Sequence, residues 1–334
     1  MQDATTILAN IFNTDNFQFN EVALSVFQFQ YTNNLVYKKF VDYLKIDPTT
    51  IDAIEKIPFL PIEFYKNHSI IIENAATEKI FESSGTTGQI TSKHLVHDLN
   101  LYEKSFHLCF EQFYGNIDDY TILALLPSYL ERNTSSLVYM VDDLIKKTTN
   151  EHSGFYLNNL EELAKAVYGR QSTVYSRQNK ILLIGVTFAL LDFAEQFPMD
   201  LSDIIIMETG GMKGRREELS REEVHAILTK SFNVKTIHSE YGMTELLSQA
   251  YSTGNGIFKT PKWMKIMKRD IYNPLKVSIN AGRGGLNVID LANIYSCSFI
   301  ATQDLVNIIS ETEFEVLGRI DNADIRGCNL MVSL

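Results

Sequence analysis

Cysteine is scarce in this 334-residue chain: Cys109, Cys297 and Cys328 stand far apart. Such spacing excludes a disulfide framework and a four-cysteine metal centre, and it fits a reducing compartment. Positive charge is also in the minority. Thirty Lys and Arg against 41 Asp and Glu leave a formal net charge of −11, which argues against a nucleic-acid partner because phosphate backbones are bound by basic faces. Long hydrophobic runs are missing: the longest weakly polar stretch, Ile181 to Leu191, is far shorter than the roughly 20 residues a membrane helix needs. The N-terminus, Met-Gln-Asp-Ala-Thr-Thr, lacks the basic start and apolar core of a secretory signal. These absences together predict a soluble cytoplasmic protein with no membrane span.

Several familiar motifs are absent too. There is no Gly-x-Ser-x-Gly nucleophile elbow, no Walker lysine motif and no Gly-x-Gly-x-x-Gly fingerprint. Internal repeats, low-complexity segments and a clear linker are lacking. His94 and His97 have the spacing to share a helix face, but no third ligand is near enough in sequence for a zinc site. The run Arg215-Arg216-Glu217-Glu218 reads as a solvated face.

What is present is ordinary globular composition, 45% hydrophobic and 21% charged, in a chain long enough for a large core. Residues 1–60 interleave Phe12, Phe17, Phe19, Phe27, Phe29 and Tyr31 with polar residues. Helical core packing is the favoured reading, with an aromatic-lined pocket as the alternative. Pro58 to Tyr65 interrupts helix. Asp98 to Tyr114 then places Phe106, Cys109, Phe110 and Phe113 at helical spacing.

Apolar runs next alternate with amphipathic stretches. The expected order is strand Thr121–Leu126, helix Ser135–Lys147, helix Asn159–Tyr168, strand Ile181–Gly185, helix Thr187–Phe197 and strand Ile204–Met207. A helix opens at Ser220 and Glu223 with a capping-box pattern, and strand Val234–His238 follows. Alternation of this kind predicts parallel strands with crossover helices. From Ile257 the pattern shortens into strands and turns. The division expected is therefore a helical region (1–60), an α/β nucleotide-binding core (61–256) and a small β-rich subdomain (257–334).

Phe81 to Gly88 reads Phe-Glu-Ser-Ser-Gly-Thr-Thr-Gly. Gly85 and Gly88 permit a tight turn close to a ligand, and Ser83, Ser84, Thr86 and Thr87 can donate to phosphate oxygens. Composition alone reads equally as a solvated loop. A second feature lies downstream, where strand Ile204–Met207 runs into Glu208-Thr209-Gly210-Gly211, since ligands of open α/β sheets sit at strand ends.

Ser-Gly-Thr-Thr-Gly resembles the phosphate loop of the adenylate-forming superfamily, and Glu240-Tyr241-Gly242-Met243-Thr244-Glu245 resembles its Tyr-Gly-x-Thr-Glu motif, in the same order. The superfamily activates carboxylic acids with ATP. Carried onto this chain, the resemblance implies that Ser83, Ser84, Gly85, Thr86, Thr87 and Gly88 hold phosphate, and that Thr244 donates to the α-phosphate while Glu245 binds Mg²⁺. It implies further that Tyr241 and Gly242 border the nucleotide, Tyr241 stacking on adenine, with Gly210 and Gly211 letting backbone approach the base edge. Ala301-Thr302-Gln303-Asp304 resembles the segment whose aspartate binds the ribose hydroxyls, with Gln303 where glycine is common. Gly318-Arg319-Ile320-Asp321 resembles the segment whose arginine contacts the nucleotide. Lys93 flanks the loop, but the usual Gly-x-Pro-Lys continuation is replaced by Gln89-Ile90-Thr91-Ser92.

A narrower likeness extends from about Pro58 onward. His238 to Tyr251, Pro261-Lys262-Trp263-Met264 and Lys268-Arg269-Asp270 are similar to the acyl-protein synthetase (LuxE) family. Members activate a fatty acid as acyl-AMP and carry the acyl group on a cysteine near the C-terminus, the place that Cys328 occupies here beside Arg326. A nearby cation favours the thiolate that such a step requires; the alternative is a buried structural cysteine. The chain ends six residues after Cys328, so a C-terminal lid domain is expected to be absent.

The likeness implies an α/β adenylate-forming large domain that uses ATP and Mg²⁺ on a fatty or other carboxylic acid. Its partner would be an acyl reductase or acyl carrier protein. Two alternatives stay open at this stage: an acyltransferase drawing on acyl-CoA or acyl-carrier protein without adenylation, and a non-catalytic adenylate-binding scaffold.

Overall fold

A computed structural model describes residues 4–13, 18–84, 90–126, 134–156, 159–172, 180–210 and 219–320. The candidate residues Gly85, Thr86, Thr87, Gly88, Gly211 and Cys328 lie outside them.

Three helices open the chain: α1 (Ala4–Ile11), α2 (Gln18–Asn33) and α3 (Leu35–Tyr43). Their aromatic side chains go into the core. Phe19 and Phe27 are fully buried, and Phe27 sits edge-on to both Tyr37 and Phe299, while Phe12 packs edge-on against Trp263. Pro58 and Pro61 delay the next helix: a two-residue strand β1 (Leu60–Pro61) comes first, and then a single turn α4 (Phe64–Asn67). A separate hairpin follows, β2 (Lys79–Glu82) against β3 (Lys93–Val96). His94 and His97 therefore share no helix face, because His94 belongs to β3.

The centre is α/β. Strands β4 (Tyr120–Leu125), β5 (Gly154–Phe155), β6 (Lys180–Val186), β7 (Ile204–Thr209) and β8 (His238–Tyr241) run parallel in the order β5-β4-β6-β7-β8. Every residue of β4 is buried, as expected of a parallel strand covered on both faces. Helices α5 (Leu99–Tyr114), α6 (Ser136–Lys147), α7 (Leu160–Ser172), α8 (Thr187–Gln196) and α9 (Arg221–Phe232) accompany these strands.

Their starts are written in the sequence. Asp98 caps α5 and Ser135 caps α6 by accepting backbone amides, and Ser220 and Glu223 form both halves of a capping box at α9. One expectation is displaced. The strand predicted at Val234–His238 begins only at His238, so the strand itself carries the first residues of the Glu-Tyr-Gly segment.

The sheet then changes direction. Strand β9 (Ala250–Ser252) is antiparallel to β8, and β10 (Ile257–Lys259), β11 (Met264–Arg269), β12 (Val277–Ser278), β13 (Gly282–Asp290), β14 (Phe299–Ile308) and β15 (Glu313–Arg319) complete it. From β9 the order runs β10-β15-β14-β13-β11-β12, and β1 pairs with β14 in parallel, giving thirteen strands in one sheet among the described residues. These are not all short strands, as the turn-rich sequence suggests. β13 has nine residues and β14 has ten, and β13 carries a bulge between Gly285 and Asn287. No helix among the described residues is long and apolar enough to cross a membrane.

Candidate active site

A cleft of about 710 Å³ opens where β7 and β8 end, between the β2–β3 hairpin, α4, the start of α6 and the β14–β15 pair. Ser83, Ser84, Gly210, Tyr241, Gly242, Thr244, Glu245, Asp304 and Arg319 all line it. Those are all the proposed site residues that lie within the described segments, gathered from positions more than two hundred apart in sequence. None of Phe12, Phe19, Phe27, Phe29 and Tyr31 reaches the cleft.

The hairpin brings the serine-rich loop to the cleft and pinches it shut at its base. Ser83 N donates to the Ser92 carbonyl at 3.0 Å, and Ser92 N donates back to Ser83 Oγ at 2.9 Å. Ser83 thus closes the neck of the loop. Alternation along β3 then turns Ser92 and His94 inward and Lys93 outward, where Lys93 faces Glu82 at 3.5 Å.

The inward pair meets the segment after β8. His94 Nδ1 is 2.8 Å from the Thr244 carbonyl, and His94 Nε2 is 3.1 Å from Asn293 Oδ1. Asn293 Nδ2 in turn donates to the Glu245 carbonyl at 2.8 Å. Burial pushes the pKa of His94 down to about 4, so the ring is neutral at neutral pH.

Glu245 itself is 5% exposed. Burial raises its carboxyl above the usual range, opposed by the Ser92 hydroxyl and by the positive charges of Arg319 and Lys66. Lys66, at the end of α4, also lines the cleft, whereas Lys93 does not. The residues after Glu245 are fixed by the buried Asp290, which accepts from Leu247 N at 2.8 Å, Ser248 N at 3.0 Å and Ser248 Oγ at 2.6 Å.

Tyr241 donates its hydroxyl to Asp304 Oδ2 at 2.6 Å. Its ring stands edge-on to Phe258 and Phe314. Arg319 Nε lies 3.8 Å from Asp304 Oδ1, with the two residues paired across β14 and β15. The carboxylate has lone pairs left for further donors. Gln303, the departure from the usual glycine, ties two neighbours together. Its Nε2 donates to Glu63 at 2.5 Å, and its Oε1 accepts from Arg319 at 3.3 Å.

Two glycines are required by their surroundings. Gly210 leaves β7 with φ of 70°, in the left-handed region that side chains rarely adopt. At Gly242 a Cβ would stand 2.3 Å from Glu240 Oε1. Glu240 is buried and accepts from the Thr209 hydroxyl, so it cannot easily yield. Burial pushes the Glu240 pKa up to about 7, with the charge of Glu208 adding to the shift and Thr209 opposing it. Glu208 sits among Thr187 (2.9 Å), Arg221 (3.6 Å) and His225 (3.6 Å). Burial raises its carboxyl, but those partners more than offset this and hold it below the ordinary value.

Sequence motifs alone miss Lys66, His94, Glu240, Asp290 and Asn293. His94, Glu240, Asp290 and Asn293 are single polar residues in strand or apolar contexts and Lys66 sits in the one-turn α4, and only the inward alternation of β3 points to any of them, to His94.

The arrangement provides a buried carboxylate, hydroxyl donors and two cations around one opening. No group of three or more His, Cys, Asp or Glu residues suited to a metal ion occurs among the described residues. A hard divalent cation that keeps waters and phosphate oxygens as ligands needs only one or two carboxylates, and Glu245 supplies one. Mg²⁺ fits this donor set.

No protein-family model matches the chain. It is 21% identical over 332 residues to the Long-chain-fatty-acid--luciferin-component ligase of Vibrio harveyi, covering 92% of this chain and 85% of that protein. Among solved structures it resembles 2-hydroxyisobutyryl-CoA ligase in complex with 2-HIB-AMP and CoA, with a TM-score of 0.64, 11% identity, and coverage of 96% of this chain and 73% of that one. It also resembles apo MatB from Rhodopseudomonas palustris, with a TM-score of 0.53 and 14% identity over 73% of this chain and 48% of the other. The fold is that of the adenylate-forming enzymes, and the resemblance to their acyl-protein synthetase branch holds over most of the chain.

Proposed function

We propose that this protein is an ATP-dependent acyl-protein synthetase. It joins a fatty or other carboxylic acid to AMP, takes the acyl group onto its own Cys328, and passes it to a reductase or carrier partner. The observation that carries this reading is the convergence of Ser83, Ser84, Gly210, Tyr241, Gly242, Thr244, Glu245, Asp304 and Arg319 on one cleft. The sequence likeness to a fatty-acid ligase supports the acid substrate.

In the first step a carboxylate oxygen of the acid attacks the α-phosphorus of ATP and pyrophosphate leaves. Positioning and charge neutralisation lower that barrier. Thr244 donates to the α-phosphate, and Ser84 and the loop beyond it hold the leaving phosphates. Asp304, itself oriented by Tyr241, accepts from the ribose hydroxyls. Arg319 and Lys66 add positive charge that acts on Glu245. Glu245 would hold Mg²⁺, and the metal would supply positive charge against phosphate oxygens there. In the second step the Cys328 thiolate attacks the acyl carbonyl, a thioester forms and AMP leaves.

The test is intact-protein mass spectrometry after incubation with Mg-ATP and a fatty-acid mixture, on the wild type and Cys328→Ser. An acyl adduct that requires ATP and vanishes in the variant is expected. ATP–pyrophosphate exchange without any adduct would remove the self-acylation step and keep the adenylation. Absence of both would remove the whole reading.

A further inference from the structure

Among the described residues, six carboxyl groups line the cleft, those of Glu63, Glu82, Glu208, Glu240, Glu245 and Asp304, against three cations, Lys66, Arg221 and Arg319. A nucleoside triphosphate brings further negative charge into this opening, so what each cation is doing decides where phosphate can sit.

Two of the three are engaged by the protein. Arg221 Nε lies 3.6 Å from Glu208 Oε1, and its Nη1 donates to the Val316 carbonyl at 3.2 Å. Arg319 Nη2 donates to Gln303 Oε1 at 3.3 Å, and its Nε stands 3.8 Å from Asp304 Oδ1. Lys66 differs: it is exposed in the cleft and forms no ion pair among the described residues, yet its charge reaches Glu245. Lys93, the cation next to the serine-rich loop in sequence, does not line the cleft and faces Glu82 at 3.5 Å.

The backbone beneath Lys66 is well anchored. A single turn such as α4 has little stability of its own, but β1 just before it pairs with β14, and Ile62 N donates to the Ala301 carbonyl at 3.0 Å. Tyr65, fully buried, places its hydroxyl 3.1 Å from Ser296 Oγ and its ring edge-on to His94, the residue that meets the Thr244 carbonyl. Lys66 is thus presented from a fixed base, while its flexible four-carbon stem carries three rotatable donors.

From this we infer that Lys66 is a catalytic residue of the adenylation step, its ammonium donating to phosphate oxygens of the nucleotide beside Glu245 as the acid attacks. The inference rests on the adenylation reading. The carboxylate oxygen forms its bond to the α-phosphorus, the bond to pyrophosphate breaks and the electron pair leaves with pyrophosphate; Lys66 keeps its proton and offsets the charge gathered there.

The experiment is ATP–pyrophosphate exchange with a fatty-acid mixture on the wild type, Lys66→Met, Lys66→Arg and Lys93→Met, with melting temperatures measured in parallel. Lys66→Met is expected to melt with the wild type, because the side chain is exposed, and to lose about 10²-fold in kcat/KM for ATP. Lys66→Arg should recover about tenfold of that loss, and Lys93→Met should stay within about twofold of wild type. Lys66→Met within about threefold of a wild type that exchanges overturns the inference and leaves adenylation standing. Equal losses in Lys66→Met and Lys93→Met mark a diffuse field rather than a contact and also overturn it, as do equal losses in Lys66→Met and Lys66→Arg, which remove the role of charge. No exchange in the wild type removes the adenylation reading itself, and this inference with it.

Discussion

His94 Nδ1 stands 2.8 Å from the carbonyl of Thr244, so a strand of the hairpin that carries the serine-rich loop also grips the backbone after β8. The neutral ring donates through one nitrogen, so replacing His94 with Leu leaves either the Thr244 carbonyl or Asn293 Oδ1 buried without its donor. The expected cost is about 2 kcal/mol of stability. In the temperature range where the variant is fully folded, ATP–pyrophosphate exchange should still fall at least about tenfold, because Thr244 is no longer held in place. An unchanged exchange rate in the folded variant would show that Thr244 needs no such grip.

Glu245→Gln should separate function from folding. Burial already disfavours the Glu245 charge, so a neutral isostere is expected to melt at the same temperature as wild type or above it. Exchange should drop by about 10²- to 10³-fold, the size typical of removing one preorganised electrostatic contact. A variant that loses both stability and activity would instead mark Glu245 as a structural residue.

Glu240 and His94 give opposite dependences on pH. The Glu240 carboxyl is raised from 4.5 to about 7, so its contribution favours folding at low pH and is lost as pH rises through about 7. His94 is lowered from 6.5 to about 4, so its contribution is present above 6.5 and is lost as pH falls toward 4. In Glu240→Gln the Glu240 contribution is removed and the other titrating groups are unchanged. Its stability should match wild type near pH 5 and exceed it by about 3 kcal/mol at pH 9. Chemical denaturation at both pH values measures this, and a constant offset between the two proteins would contradict it.

Gly242→Ala forces a Cβ to within 2.3 Å of Glu240 Oε1. The expected destabilisation is about 1–3 kcal/mol, the usual cost of overpacking. Adding Glu240→Ala should recover part of that loss, since the two sites are in contact and their effects should not add. Additive losses in the double-mutant cycle would locate the strain elsewhere.

Much of the scaffold was legible because its signals are local. Buried strands such as β4 are nearly continuous apolar runs, and Asp98, Ser135 and Ser220 announce their helices by side-chain capping. The cleft's described residues were legible because adjacent residues form recognisable segments around Tyr241–Glu245 and Asp304. The supports were not. Asn293 meets His94 across 199 positions, and Asp290 meets Ser248 across 42, distances at which no periodicity or capping pattern operates. Strand β8 was placed too early because its own residues, His-Ser-Glu-Tyr, are polar. They form a strand through pairing with β7 and β9 rather than through intrinsic preference.

The reversal of direction at β8 has a consequence for how the protein can vary. Strands β8 and β9 are joined by one short return, and that single stretch contains Thr244 and Glu245 as well as Gly242 and Gln249, with Glu240 just before it. The two residues proposed to act on phosphate and metal thus share one short segment, which His94 and Asp290 hold through its backbone. A substitution anywhere in that return should move Thr244 and Glu245 together, whereas Leu137 and Met140 of α6 line the cleft from outside it and are freer to change.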